Sequence, residues 1–540
     1  MLASLTVGIA VTMALWLEAV AVLVAFLVFR WLRKGDDSRL PPGPKAWPIV
    51  GNLPVLAGGR INENLLKLSS KYGSIFRLQL GSYAAVVVAS PDMAQAVLKE
   101  QDALVAGRPK PTFVAKEVTY AGNDLVFQSY GPSFISLRKL ISHELLSKER
   151  LTEIKQVTVE AEYDALFNSI RHVIASKSSK GVLDLRSFLY SFNMNVLTLT
   201  GMSERLRTMP GETPGDDSLI PKGANSDSEA MTDLARMVTS TQMIGDLIPN
   251  LGFLDHIFQR RVRKHVRDNF AICDAFLQRV VDDRRRLRQT ESMLHQERPP
   301  RDVLDTLLTL RTGHEEPLSD DTIKELTKLM LMAGVEPQSI TTEWAMAELL
   351  RDPKLMQELQ EELDRVVGTD IRVQNADLPN LPLLQAIIRE TFRMHPVSPF
   401  LAPRMTTQDI LLGGFHIPAN TIVMVHTYGI QHDPAVWSDP DQFLPHRFLR
   451  RQGPDVIRGH DFKLLPFGSG RRMCPGYNLG YPLVGLTLAR LVHSFSWSLP
   501  GELKDRPQDL CMKASMKDGT FAVKFQPLHA VVSVRLPATL

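Results

Sequence analysis

Of the three cysteines in the chain, Cys273, Cys474 and Cys511, only Cys474 lies in surroundings suited to metal chemistry. It sits in Phe467-Gly-Ser-Gly470-Arg-Arg472-Met-Cys474-Pro-Gly476, ahead of the apolar helical pattern LGYPLVGLTLARLV. Gly470 and Gly476 let a loop approach a flat cofactor closely, and a helix starting just past the cysteine directs its amide dipoles at a thiolate. Arg472, two residues upstream, suits a charge-assisted bond to a carboxylate on such a cofactor. Phe467 would cover the sulfur and limit water, which tunes the electron density a thiolate donates to a metal. An inert buried cysteine accounts for Cys474 alone, but not for Phe, Gly, Arg and Gly at these offsets.

This arrangement resembles the haem-binding loop of the cytochrome P450 family, and the resemblance extends over nearly the whole chain, from the proline-rich hinge to the C-terminus. It implies haem b (iron protoporphyrin IX), with Cys474 as axial ligand of the iron and Arg472, Arg138, Phe467, Gly470 and Gly476 around it. A second family motif is Glu390-Thr-Phe-Arg393, with the acid and base on one helix face. Read alone, such a pair is more often a solvated surface pair worth little. The resemblance implies instead a structural network of Glu390, Arg393 and Arg447 that locks the loop beneath the haem; His446 stands where the family usually has an acid. In Tyr130-Gly-Pro-Ser-Phe-Ile-Ser-Leu-Arg138-Lys139 the family usually has a tryptophan where Phe134 stands. Arg138 remains suited to a propionate, but the indole donor is lost.

The long helical pattern IKELTKLMLMAGVEPQSITTEWAMAELL carries the informative departure. The family usually shows Ala-Gly, any residue, an acid and then Thr, whereas this chain has Ala333-Gly334-Val335-Glu336-Pro337. Proline has neither hydroxyl nor N–H, so Pro337 passes no proton and frees a backbone carbonyl. Proton delivery then falls to Glu336, Ser339, water or a hydroxyl on the substrate. One reading makes Pro337 only a kink that the helix needs, with water moving the proton. The other has the substrate supply an acidic hydroxyl, favouring phenol coupling or ring closure over simple hydroxylation. Met332, Ala333 and Val335, with Val397 and Phe400, are the expected pocket residues.

PPGPKAWPIVGNL, WAMAELLRDP and DPAVWSDPDQFLPHRFL most resemble plant microsomal members of specialised metabolism. The resemblance implies a mainly α fold with a small β-rich region, and a monooxygenase acting on O₂ and a phenylpropanoid, flavonoid, alkaloid or terpenoid. Electrons would come from NADPH through NADPH-cytochrome P450 reductase, with the Lys139 region as a docking surface or merely a solvated face. Two other classes stay open: a haem-thiolate lyase or isomerase independent of O₂, and a non-catalytic haem-binding relative suggested by Phe134 and Pro337.

The elements that must position these residues have ample material. The 540 residues are 44% hydrophobic and 22% charged, enough for a large core, and a net charge of +3 argues against nucleic-acid binding. Sparse cysteines exclude a disulfide framework and suit a reducing compartment. Met1 to Phe29 is nearly all apolar, with Glu18 its only charged side chain, and is closed by Arg30, Arg33 and Lys34. We expect an N-terminal transmembrane anchor over residues 1–33, a charged and proline-rich hinge over 34–44, and a cytosolic catalytic domain over 45–540, at the endoplasmic reticulum membrane. Alternation from Ser74 to Ala89 predicts a two-stranded hairpin, and helical spacing dominates from there to about residue 395. Met202 to Ser228, rich in Gly, Pro, Asp and Ser, reads as a flexible surface connection.

Overall fold

A computed structural model describes residues 38–537, apart from 57–60, 121–123, 177–180, 211–223, 242, 295–297, 312–315, 450–455 and 517–520. The expected anchor over 1–33 and the first part of the hinge lie outside the described residues. Among those described, no helix is long and apolar enough to cross a membrane.

The helices that place the functional residues are α1 (Pro132–Leu140), α2 (Leu185–Met202), α3 (Ala224–Ser240), α4 (Arg260–Met293), α5 (Asp320–Arg351), α6 (Pro382–Met394) and α7 (Tyr477–Ser494). The axis of the fold is α5. Ser319 caps its start by accepting from the Thr322 N–H, Asp320 and Asp321 occupy its first turn and Arg351 its last, each matched to the helix dipole. From Gln338 to Leu350 every residue is buried, because α2, α6 and α7 all pack against it. A helix covered on all sides has no polar stripe, so its sequence period says little about which face does what. Helices α6 and α7 contribute Leu384, Ile387, Leu483 and Leu488 to the largest apolar cluster.

The strands are minor, and the longer ones lie in two of the four small sheets among the described residues. β1 (Ile75–Leu80) and β2 (Tyr83–Val88) form the expected hairpin, with Ile75 opposite Val88 and Leu80 opposite Tyr83. β3 (Val182–Asp184) belongs to a second sheet. β4 (Arg404–Met405) and β5 (Ile422–Val425) extend the first to four strands in the order β1-β2-β5-β4, with β2 and β5 parallel. The second sheet joins β3 to β7 (His529–Val534) and β6 (Phe495–Ser498).

The Pro41–Pro44 stretch lies against β1: the Pro42 carbonyl accepts from the Arg77 N–H at 2.8 Å, and a Cβ on Gly43 would lie 2.3 Å from the Arg77 carbonyl oxygen. The surface connection expected to reach Ser228 instead gives way to helix at Ala224, with residues 211–223 outside the described set.

Candidate active site

A loop folded back on itself presents Cys474. The Cys474 N–H donates to the Phe467 carbonyl at 2.8 Å, and the turns at Gly468 and Gly470 both take φ of +69°, which favours glycine. Cys474 lines a cavity of about 390 Å³, within the ordinary size of a small-molecule site. Burial pushes the Cys474 thiol up, while the Gly476 N–H donated to the sulfur and the charge of Arg138 act the other way. Phe467 also faces the cavity, with its ring 5.7 Å from that of Phe392. Gly476 lines it as expected, but Gly470 does not. A Cβ on Gly470 would lie 2.4 Å from the Leu98 carbonyl oxygen, so the glycine there serves packing against Asp102 and not access to a cofactor.

Four arginines line the same cavity: Arg108, Arg138, Arg404 and Arg472. Arg138 comes from α1 and Arg404 from β4; Arg108 and Arg404 were not anticipated from the sequence. Burial, then Arg472 and Arg404, push Arg108 down to about 9. Arg472 is pushed down to about 10 by burial first and Arg404 second. Burial lowers Arg138 and Arg404 too, against the opposing pull of Cys474 on the first and Asp102 on the second. Arg472 donates to the Ala106 carbonyl at 2.9 and 3.0 Å, and its guanidinium lies 4.0 Å from the centre of the Phe134 ring. Phe134 thus occupies the expected place, 2% exposed, as an apolar plate under a cation where an indole would have offered a donor.

These side chains test the fit of the cofactor that the motif implies. Four guanidiniums answered by two buried carboxylates, Asp102 and Asp124, leave an excess of positive charge that a dianion would neutralise. A thiol in the same apolar cavity supplies a soft metal ligand. Two carboxylates, a flat apolar body and a metal are what iron protoporphyrin IX brings, so the residues fit it. Cys474 would ligate the iron and the arginines would hold the propionates.

The face of α5 that meets the cavity begins at Leu326 and Leu329 and continues through Met330, Ala333, Gly334, Pro337, Gln338 and Thr341. Their spacing of three and four is one helical stripe. Ala333 and Pro337 were expected there. Met332, Val335, Glu336 and Ser339 were expected too, but fall on other faces. Val335 is 2% exposed in an apolar cluster and Met332 packs against that cluster. Glu336 turns to α3, pairing with Arg236 at 3.3 Å. Ser339 is buried against α2: it accepts from Asn193 Nδ2 at 2.9 Å, and its hydroxyl lies 2.9 Å from the Val335 carbonyl oxygen. A rotation of about 100° per residue puts 335, 336 and 339 away from the cavity when 333 and 337 face it. After α6, Val397 lines the cavity, whereas Phe400 stacks on His426 with ring centres 4.9 Å apart; Leu401 and Ala402 face the cavity instead.

Below the site, Arg393 grips Glu390 through two bonds of 2.8 and 2.9 Å, both side chains fully buried. Arg393 also donates to the carbonyls of Gln431, Pro440 and Gln442, and Arg447 reaches Glu390 at 3.2 Å. The structure therefore brings the three motif residues together at the segment leading to the Cys474 loop. His446 meets Glu358 at 3.1 Å, and Lys139 is exposed on α1.

The model of the cytochrome P450 family matches residues 41–525. The chain belongs to the cytochrome P450 family. A flavonoid 3'-monooxygenase of Crocosmia x crocosmiiflora is 36% identical over 497 residues, covering 90% of this chain and 92% of that protein. A flavonoid 3'-monooxygenase of Arabidopsis thaliana is 36% identical, covering 93% and 94%. Dimethylnonatriene synthase of Zea mays is 32% identical, covering 98% of each. Among solved structures, a zebra fish cytochrome P450 with progesterone superposes with a TM-score of 0.68 at 26% identity, covering 88% of this chain and 99% of that one. The mainly helical fold with small sheets is the cytochrome P450 fold. As a member of the plant-type branch, the protein is an oxidoreductase of the monooxygenase class that uses haem b, O₂, a small-molecule substrate and a redox partner.

Proposed function

We propose that this cytochrome P450 hydroxylates an aromatic plant specialised metabolite of the phenylpropanoid or flavonoid kind. The observation that carries the reading is the cavity in which the Cys474 sulfur and four arginines converge under an apolar roof. The names of the flavonoid 3'-monooxygenases point to a phenolic ring as the target. Electrons would come from NADPH-cytochrome P450 reductase, and the first 33 residues would hold the protein at the endoplasmic reticulum membrane.

When bound, haem supplies reductive activation of O₂ and transfer of oxygen to the substrate. The chain's own residues prepare that chemistry. The Gly476 N–H and Arg138 favour the thiolate form of Cys474 against its burial, and the Phe467 ring keeps water from the sulfur. Arg108, Arg138, Arg404 and Arg472 would hold the propionates by charge-assisted bonds. Leu326, Leu329 and Ala333 present an apolar wall that orients a flat substrate. Proton handling departs from the family pattern: Pro337 has no hydroxyl, Glu336 and Ser339 face elsewhere, and the Thr341 hydroxyl is bonded to the Pro337 carbonyl at 2.8 Å.

That departure favours a second reading, in which a phenolic hydroxyl on the substrate serves as acid and the product arises by phenol coupling or ring closure. Co-expression with a plant reductase, feeding of phenolic, alkaloid and terpenoid candidates, and product mass decide. Gain of one oxygen on a phenolic substrate is the expected result; loss of two hydrogens supports coupling. Turnover without reductase would overturn both in favour of a lyase. Replacing Pro337 by Thr should shift product toward oxygen insertion if coupling is native.

A further inference from the structure

Past Thr341, α5 leaves the cavity, and its next buried aromatic is Trp344, which does not line it. Two segments that do line the cavity meet at Trp344. The first leaves the end of α6: His395 stands before Pro396, so the helix stops, and Pro396, Val397 and Ser398 form part of the cavity wall. The second is the C-terminal stretch at Phe521, which lines the cavity, followed by Ala522. The Trp344 indole N–H donates to the Ala522 carbonyl at 3.1 Å, and its ring lies parallel to that of His395, at 1° with centres 4.1 Å apart. His395 Nε2 lies 2.6 Å from a carboxylate oxygen of Glu348, one turn further along α5, which fixes the plane of the imidazole. The two segments are also tied to each other, the Ala522 N–H donating to the Val397 carbonyl at 2.8 Å.

One side chain outside the cavity thus fastens the backbone beside two residues inside it. An apolar ring of similar size would fill the space, but the buried Ala522 carbonyl needs a donor, and the indole supplies it. The stack sets the distance of the first segment from α5, and the N–H sets the place of the second. The elements behind both turns are held separately. Glu343 accepts from the Leu528 N–H at 2.9 Å, and Arg393 ties α6 to the Gln431 carbonyl at 2.9 Å. Loss of the Trp344 contacts therefore frees the two turns at the cavity without releasing the elements they leave.

We propose that Trp344 and His395 are positioning residues that set how far Val397 and Phe521 project into the cavity, and through them the length of ligand the cavity accepts. The inference rests on the reading above that this cavity is the substrate site. A ligand short enough to leave Val397 and Phe521 in place meets no resistance from the clamp. A longer one must displace them, and that displacement breaks the Trp344 bond or parts the stack.

The test uses the full-length haem-loaded protein and the dissociation constants of 1-phenylimidazole and 1-(biphenyl-4-yl)imidazole, read from the shift of the Soret band. Both bind iron through the imidazole nitrogen, so their tails start from one fixed point and differ by a single ring. Trp344→Phe keeps a ring for the stack and loses the N–H. In it the biphenyl probe is expected to gain about 3–10-fold on the phenyl probe relative to wild type, the range of one net hydrogen bond. His395→Ala removes the stack, keeps the N–H and is expected to shift the ratio in the same direction. His395→Phe puts back a ring without the Glu348 bond and is expected to bring the ratio to within about twofold of wild type. A wild-type ratio in Trp344→Phe overturns the clamp even where that variant melts at a lower temperature, since lost packing alone does not sort probes by length. Should Trp344→Phe fail to take up haem, the ratio in His395→Ala decides in its place. Failure of the underlying reading looks different: no phenolic candidate gains oxygen with reductase present, while the probe ratios still shift.

Discussion

His426 shows what a single buried ring does to stability. It is fully buried, stacked on Phe400, and neither ring nitrogen has a hydrogen-bond partner among the described residues. Burial, then the charge of His432, pushes it down to about 3, and His432 itself is pushed down to about 4, mainly by burial. Both values are depressed below the unfolded value of about 6.5, so the folded state binds fewer protons than the unfolded state in that window. Stability therefore falls as pH drops below about 6.5, by up to about 1.4 kcal/mol per pH unit for each ring. Denaturation followed from pH 7 to pH 5 should show a loss of several kcal/mol, and His426→Phe should remove about half of that slope while keeping the stack. An unchanged slope in the variant would place the acid sensitivity elsewhere.

At the scale of elements, legibility followed how much a local pattern had to say. The β1–β2 hairpin could be read because its alternation is local, and the Cys474 loop because its glycines and Cys474 lie within ten residues of one another. The pairing of β2 with β5, and the arrival of Arg108 and Arg404 in the site, join distant segments that no local pattern records. Helix α5 is legible in the sequence as a helix, but the face it turns to the cavity is not. From Gln338 to Leu350 it is buried on all sides, and around Ala333 and Pro337 it borders an apolar cavity, so no polar stripe marks its orientation. The corrected face makes a prediction that separates structure from chemistry. Ser339→Ala leaves the buried Asn193 amide without its acceptor and should cost about 1–3 kcal/mol in unfolding free energy. Glu336→Gln removes a partly exposed pair with Arg236 and should cost at most about 1 kcal/mol. Neither should alter the product pattern or the turnover per bound haem. A change in product ratio for either variant would return a proton-handling role to that face.

Across the whole molecule, the fold concentrates cations where the uncharged cavity has little to stabilise them. Arg108 arrives before α1, Arg138 on α1, Arg404 on β4 and Arg472 in the Cys474 loop, so four remote parts of the chain meet only when the fold is complete. Each guanidinium is depressed by burial, and Arg108 and Arg472 are lowered further by their neighbours. An arginine whose folded value lies below its unfolded one stays charged at neutral pH and subtracts from stability by the depression. That strain belongs to the protein without cofactor. Two propionates reverse its sign, since each charge-assisted bond is worth about 1.5–3 kcal/mol where it replaces repulsion. One substitution should therefore act in opposite directions on the two forms. Arg108→Gln removes the most depressed of these charges while keeping an amide that can donate to the carbonyls of Ala402 and Pro403. The haem-free protein should melt at a higher temperature than its wild-type counterpart. The loaded protein should melt lower and give up its haem faster to an acceptor protein in excess. A shift in the same direction for both forms would mean that Arg108 is a packing residue with no electrostatic part in holding the cofactor.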